Sequence, residues 1–184
     1  MLAQRFPAAN IHAIDLDELA VEQALINVAA SPYRERVQVF HASMAEWASA
    51  KWHQYDLIVC NPPYFKKGWP VNDPTRKKAR DASFLPLEDL FNQSINLSSS
   101  EGILSIILPA NRLSEVDRLS ELAGWKIQRQ LQVFTRKGKP AERVMLEWGQ
   151  SQKTNNLKEL LIEDDSGYTA DYIDLVESFY LNMA

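Results

Sequence analysis

Three short apolar runs alternate with helical patterns in the first sixty residues, and this alternation limits the chain to few architectures. Residues 10–16 (NIHAIDL) read as a buried strand. Residues 17–30 then place Leu19, Ala20, Ala24, Ile26, Asn27 and Ala30 at helical spacing, with Pro32 as a stop. Residues 36–41 (RVQVFH) form a second strand pattern, and a short helix is predicted over 44–50. Residues 55–60 (YDLIVC) are apolar on both faces after Asp56. Strands buried on both faces and separated by helices predict a parallel α/β sheet.

The rhythm breaks at 61–86, which holds Pro62, Pro63, Pro70, Pro74, Pro86 and Gly68. So long a loop in a compact domain points to function or mobility, and one short helix is possible at 75–80. A helix is predicted over 87–98, a strand over 102–108 and a helix over 112–123 capped by Gly124. Further strands are predicted at 125–134, 143–148 and 157–162, and a terminal amphipathic helix at 169–182.

The third strand runs straight into Asn61-Pro62-Pro63-Tyr64. In open α/β sheets, ligands meet the carboxyl ends of the strands. The two prolines stiffen the turn and bring no competing N–H donor. The Asn61 amide oxygen and the Asn61 and Pro62 carbonyls are acceptors, and Tyr64 offers a flat face. Acceptors beside a stacking face suit an amine conjugated to a planar group, such as adenine or a side-chain amide. Hydrogen bonds from that amine localise its lone pair and raise its nucleophilicity. Alignment with an electrophilic methyl group then does the rest, without a strong base. The competing reading is a rigid turn after a strand.

Asp15 ends the first strand, where a carboxylate can hold ribose hydroxyls. It could equally serve the start of the following helix, a role that Asp17 and Glu18 also suit. His41-Ala42-Ser43-Met44 follows the second strand, where a cofactor's adenine ring would be met.

Lys66, Lys67, Arg76, Lys77, Lys78 and Arg80 stand against a single acid, Asp73, with Phe65 and Trp69 between them. That mixture suits phosphate contacts and base stacking. Arg136, Lys137, Lys139 and Arg143 form a second basic cluster. Each cluster also fits a solvated loop.

The formal net charge is −4, so the surface as a whole does not attract polyanions. Cys60 is the only cysteine, which excludes an intrachain disulfide and a cysteine-rich zinc site. It is read as a core residue, and His12, His41 and His53 as structural. No metal is expected. No apolar run approaches a membrane span and the start is too polar for a signal peptide, so a cytoplasmic protein, monomeric by default, is expected.

At NPPY the chain resembles class I S-adenosylmethionine-dependent methyltransferases of the amino-methylating group. NPPYF, then Gly68, Arg76, Ala79-Arg80, Leu85 and Leu90, with the terminal Ser178-Phe179-Tyr180-Leu181, resembles the YfiC-like family of tRNA adenine-N6 methyltransferases. The resemblance covers essentially the whole chain. It implies a Rossmann-like sheet of order 3-2-1-4-5-7-6, with S-adenosylmethionine as cofactor. It also implies methylation of the adenine at position 37, beside the anticodon of a valine tRNA. Asn61, Pro62, Pro63 and Tyr64 would be catalytic. Asp15, Leu16, Ser43, Met44 and Asn61 would meet the cofactor, and the basic residues from Lys66 to Arg80 the RNA. Ser43 stands where the family usually has an acid.

One departure is larger. The family opens with a strand and a glycine-rich loop, whereas the first glycine here is Gly68. Residues 1–184 are therefore expected to be a single methyltransferase domain truncated at its N-terminus, lacking strand 1. Four rivals stand beside the tRNA reading, the blandest being an incomplete fragment with no independent function. Glutamine methylation of a protein also uses NPPY but predicts no basic loop at 66–80. DNA adenine methylation would need a separate recognition region. A non-catalytic RNA-binding remnant would transfer no methyl group.

Overall fold

The computed structural model describes residues 1–51, 54–63, 85–151 and 156–180. They fall into two compact units, residues 1–50 and 51–184.

The first unit comprises α1 (Leu2–Arg5), β1 (Ile11–Asp15), α2 (Glu18–Ala29), β2 (Val37–His41) and α3 (Met44–Ala50). β1 and β2 pair in parallel, from Ile11 opposite Val37 to Asp15 opposite His41. α2 starts where Asp17 accepts from the N–H groups of Leu19 (3.0 Å) and Ala20 (3.3 Å). These are two of the donors that a helix start leaves unpaired. Val37 and Val39 lie beside Leu25 and Val28 of α2. His12 and Phe40 meet the Trp47 ring of α3, with centroids 5.6 and 4.6 Å away. His12 is thus a packing residue. Arg36 donates to the carbonyls of Ala3 (2.8 Å), Phe6 (3.1 Å) and Ala9 (2.8 Å), tying down the segment that follows α1.

The second unit holds β3 (Tyr55–Cys60), α4 (Leu87–Leu97), β4 (Ser98–Pro109), a 3₁₀ turn (Ala110–Arg112) and α5 (Leu113–Leu122). β5 (Lys126–Arg136), β6 (Arg143–Gly149), β7 (Asn156–Asp164), β8 (Gly167–Tyr168) and α6 (Ala170–Val176) complete it. The sheet order is β3-β4-β6-β5-β7-β8. β3 and β4 are parallel, as are β5 and β7, while β6 runs antiparallel to both β4 and β5.

Alternation along β4 buries Leu104, Ile106 and Leu108, and Val144, Leu146 and Trp148 of β6 extend the same core. Leu90 and Phe91 of α4 and Val116 of α5 complete it, all buried. Phe91 meets Trp148 edge to face at 5.2 Å. The Trp125 indole donates to the Phe91 carbonyl at 3.1 Å. Gly124 closes α5 at φ +90°, a conformation that costs glycine little.

Three elements differ from the pattern-based reading. β4 begins at Ser98, because polar Ser98 pairs with Tyr55 across a bulge. Gly102 makes this possible, since a Cβ there would lie 2.6 Å from the Tyr55 carbonyl. The short β8 carries no apolar run and escapes detection. The terminal helix ends at Val176 and tightens into a 3₁₀ turn over Glu177–Phe179, a common way to satisfy the last carbonyls. The helix considered at 75–80 lies outside the described residues.

Phe91→Ala should open a cavity against Trp148 and cost about 3–5 kcal/mol. Urea unfolding should show a lower midpoint at unchanged slope. A loss below about 1 kcal/mol would mean that this contact does not anchor the sheet.

Candidate active site

The chemistry-bearing residues stand at carboxyl ends of parallel strands in each unit. In the first unit the ends of β1 and β2 are bridged twice. The Ala42 N–H donates to the Asp15 carbonyl at 3.1 Å, and the His41 ring nitrogen lies 3.2 Å from the Leu16 carbonyl. Asp15, Leu16, Ser43 and Met44 are thereby gathered on one sheet edge. His41 links backbone there and is structural.

Asp15 is exposed, and its Oδ1 accepts the Asp17 N–H at 2.8 Å. This bond orients the carboxylate at the strand end and leaves Oδ2 as an acceptor. An oriented, exposed carboxylate matches the hydroxyl donors of a ribose, so the donor set of this edge fits the nucleoside part of S-adenosylmethionine.

Ser43 is committed locally. Its N–H and hydroxyl both donate to Glu46 Oε2, at 2.8 and 2.7 Å, and its Oγ accepts the Glu46 N–H at 3.1 Å. This reciprocal box starts α3. These bonds, the backbone one first, lower the Glu46 carboxyl below its ordinary pKa. Glu46 lies outside the 41–44 stretch singled out from sequence, and its signal there is Ser-x-x-Glu at a helix start.

In the second unit β3 delivers Asn61 to its carboxyl end. Pro62 is fully buried while Asn61 is exposed, so the proline anchors the turn and the carboxamide faces outward. No described residue hydrogen-bonds that carboxamide. Pro63 is half-buried. Cys60 is half-buried, and burial pushes its thiol up to about 12, which keeps it neutral and unreactive near pH 7. Tyr64, Lys66, Lys67, Arg76, Lys77, Lys78 and Arg80 lie outside the described residues, as does His53.

Among the described residues no group of His, Cys, Asp and Glu is placed to hold a metal ion. No described helix is long and apolar enough to cross a membrane.

Known proteins give this geometry its context. Residues 1–111 match the family model of the methyltransferase small domain. The chain is 34% identical to a tRNA1(Val) (adenine(37)-N6)-methyltransferase of Yersinia enterocolitica, over 99% of this chain and 73% of that protein. It is 37% identical to the enzyme of the same name from Flavobacterium johnsoniae, over 100% of this chain and 79% of that one. Among solved structures, a predicted O-methyltransferase from Agrobacterium tumefaciens has a TM-score of 0.75 at 16% identity, covering 96% of this chain and 81% of its own. A precorrin-6y C5,15-methyltransferase from Geobacter metallireducens has a TM-score of 0.53 at 13% identity, over 81% and 71% of the two chains. These two speak for the fold alone, which is the Rossmann-like α/β fold of methyltransferases. On its family match and on its full-length identity to these relatives, the chain belongs to the methyltransferase small domain family, in the group of the tRNA1(Val) (adenine(37)-N6)-methyltransferases.

Proposed function

We propose that this chain methylates the exocyclic N6 amine of an adenine in tRNA, at position 37 of the anticodon loop as in its relatives' names. The carrying observation is the end of β3, where buried Pro62 holds Asn61 outward at the carboxyl edge of a parallel pair.

Bound S-adenosylmethionine supplies a methyl group made electrophilic by its sulfonium. The chain's part is to hold and prepare the nitrogen. The Asn61 amide oxygen accepts one N6–H, and the Pro62 carbonyl is the second acceptor. With both protons directed at acceptors, the nitrogen lone pair is left free for the methyl group that bound S-adenosylmethionine would supply, and the amine proton would pass to water. Tyr64 is the stacking face for the base. The basic run from Lys66 to Arg80 is the RNA contact nearest it in sequence. The adenine edge must leave any stack to reach this site, which favours a loop over a duplex.

On the first unit's edge, Asp15 takes the ribose hydroxyls, with Leu16 and Met44 beside it. Glu46 supplies the acid that Ser43 lacks. Ser43 holds Oε2 of this exposed side chain, and Oε1 is the acceptor for the amine of the cofactor's adenine. The 1–184 stretch acts in this reading as one methyltransferase domain.

Asn61→Ala should leave the calorimetric affinity for S-adenosylmethionine unchanged and cut turnover on tRNA on the order of a hundredfold or more. Unimpaired turnover would remove Asn61 from the acceptor role. Asp15→Asn keeps the acceptor for the Asp17 N–H and removes the charge. It should weaken cofactor binding roughly tenfold, the size of one charge-assisted hydrogen bond. An unchanged dissociation constant would place the ribose elsewhere.

A further inference from the structure

The β5–β6 turn lies on the same sheet edge as Asn61. β3 and β4 are parallel, and β6 reverses against both β4 and β5, so β5 runs in the direction of β3. The carboxyl end of β5 is Arg136, followed by Lys137, Gly138 and Lys139, all exposed. Gly138 at φ +76° makes the turn, and the Lys139 N–H closes it onto the Arg136 carbonyl at 3.2 Å.

This turn also stands proud of the edge. Pro109 of β4 is level with Arg143 of β6, which is level with Val133 of β5. β5 continues for three residues beyond that level, paired with β7 as far as Arg136 opposite Glu163. At ~3.3 Å per residue the turn rises about 10 Å above the end of β4. Three strand spacings separate β3 from β5, about 14 Å along the edge. The turn is therefore too far from Asn61 to touch the base held there. It is placed for phosphates several nucleotides away.

Its charges are arranged unequally. Glu163 on β7 pairs with Arg136 at 3.1 Å, and Asp164 accepts from the Ser166 N–H at 2.8 Å and hydroxyl at 2.6 Å. Arg143 donates to the Glu142 carbonyl at 3.1 Å. Lys139 lies in the connection to β6, which flanks β5 on the side opposite β7, and Glu142 closes the same connection. Those acids, Glu163 to Asp165, are hostile to a polyanion and bound the surface on its outer side.

We propose that the β5–β6 turn, with Lys139 at its tip and Lys137 beside it, is a second contact for the RNA phosphodiester backbone. It grips the substrate at a distance from the methylated base, and its reach stops at the β7 acids. The proposal rests on the tRNA reading above.

The test is tRNA binding by the full chain over a range of salt concentrations. K137A/K139A should raise the Kd for an unmodified valine tRNA about tenfold. It should flatten the slope of log K against log salt by about 1.5. The affinity for S-adenosylmethionine and kcat at saturating tRNA should stay unchanged. K139E alone should weaken binding at least as much per residue, and D165N should leave it equal or tighter. Both lysines are exposed in a turn, so folding is not at stake. A double variant with wild-type Kd and slope overturns the surface while leaving the tRNA reading intact. A wild-type chain with no affinity for tRNA overturns both.

Discussion

The parallel pairing of β3 with β4 is the constraint on which the second unit's chemistry depends. Asn61 has no anchor of its own among the described residues. It faces outward because Cys60 is registered opposite Ile106 and Pro62 is buried. β4 is in turn held by β6, and both are pressed by α4, where Phe91 meets Trp148 edge to face. Packing energy from a dozen apolar side chains is thereby converted into the position of one carboxamide. A catalytic acceptor needs this kind of support, since methyl transfer depends on alignment far more than on proton transfer.

The first unit solves a similar problem with hydrogen bonds. Its short parallel pair is capped at the carboxyl edge by local contacts: Asp15 to the Asp17 N–H, Asp17 to the start of α2, and Ser43 with Glu46 at the start of α3. Asp15 and Glu46 each commit one carboxylate oxygen to a neighbouring N–H or hydroxyl, so the bonds that order this edge leave the second oxygen of each acid outside them.

How much of this could be read from residues alone follows from the range of each signal. The strands at 10–16, 36–41 and 55–60 are short apolar or alternating runs flanked by helical spacing, and all three are present. Gly124 marked its turn because only glycine adopts that φ easily. The four-residue extension of β4 was hidden. Ser98 and Ser99 look like loop, and only the distant Tyr55 makes them strand. The Asn61 motif was legible because local rigidity coincides with the end of an apolar strand, but burial of that strand on both faces does not hold, since Leu57 and Val59 are exposed. The pairing of Arg136 with Glu163 was not, since the two residues meet only through the β5–β7 register. The Ser43–Glu46 pairing is local, three residues apart at a helix start, and was legible in principle as Ser-x-x-Glu.

A net charge of −4 raises the question of how such a chain could hold RNA at all. Counterion release depends on the phosphates neutralised at the contact, so net charge sets long-range steering and not the strength of the grip. At ionic strengths near 0.15 M the screening length is about 8 Å. Acids more than that distance from a basic turn scarcely weaken it. Those that matter are the near ones, Glu163 and Asp164 on the β7 side and Glu142 at the base of the turn on the β6 side. If the turn and the end of β3 both meet the substrate, selectivity for a folded RNA over bulk polyanion follows from geometry: the base would have to reach Asn61 while the backbone reaches a turn three strand spacings away.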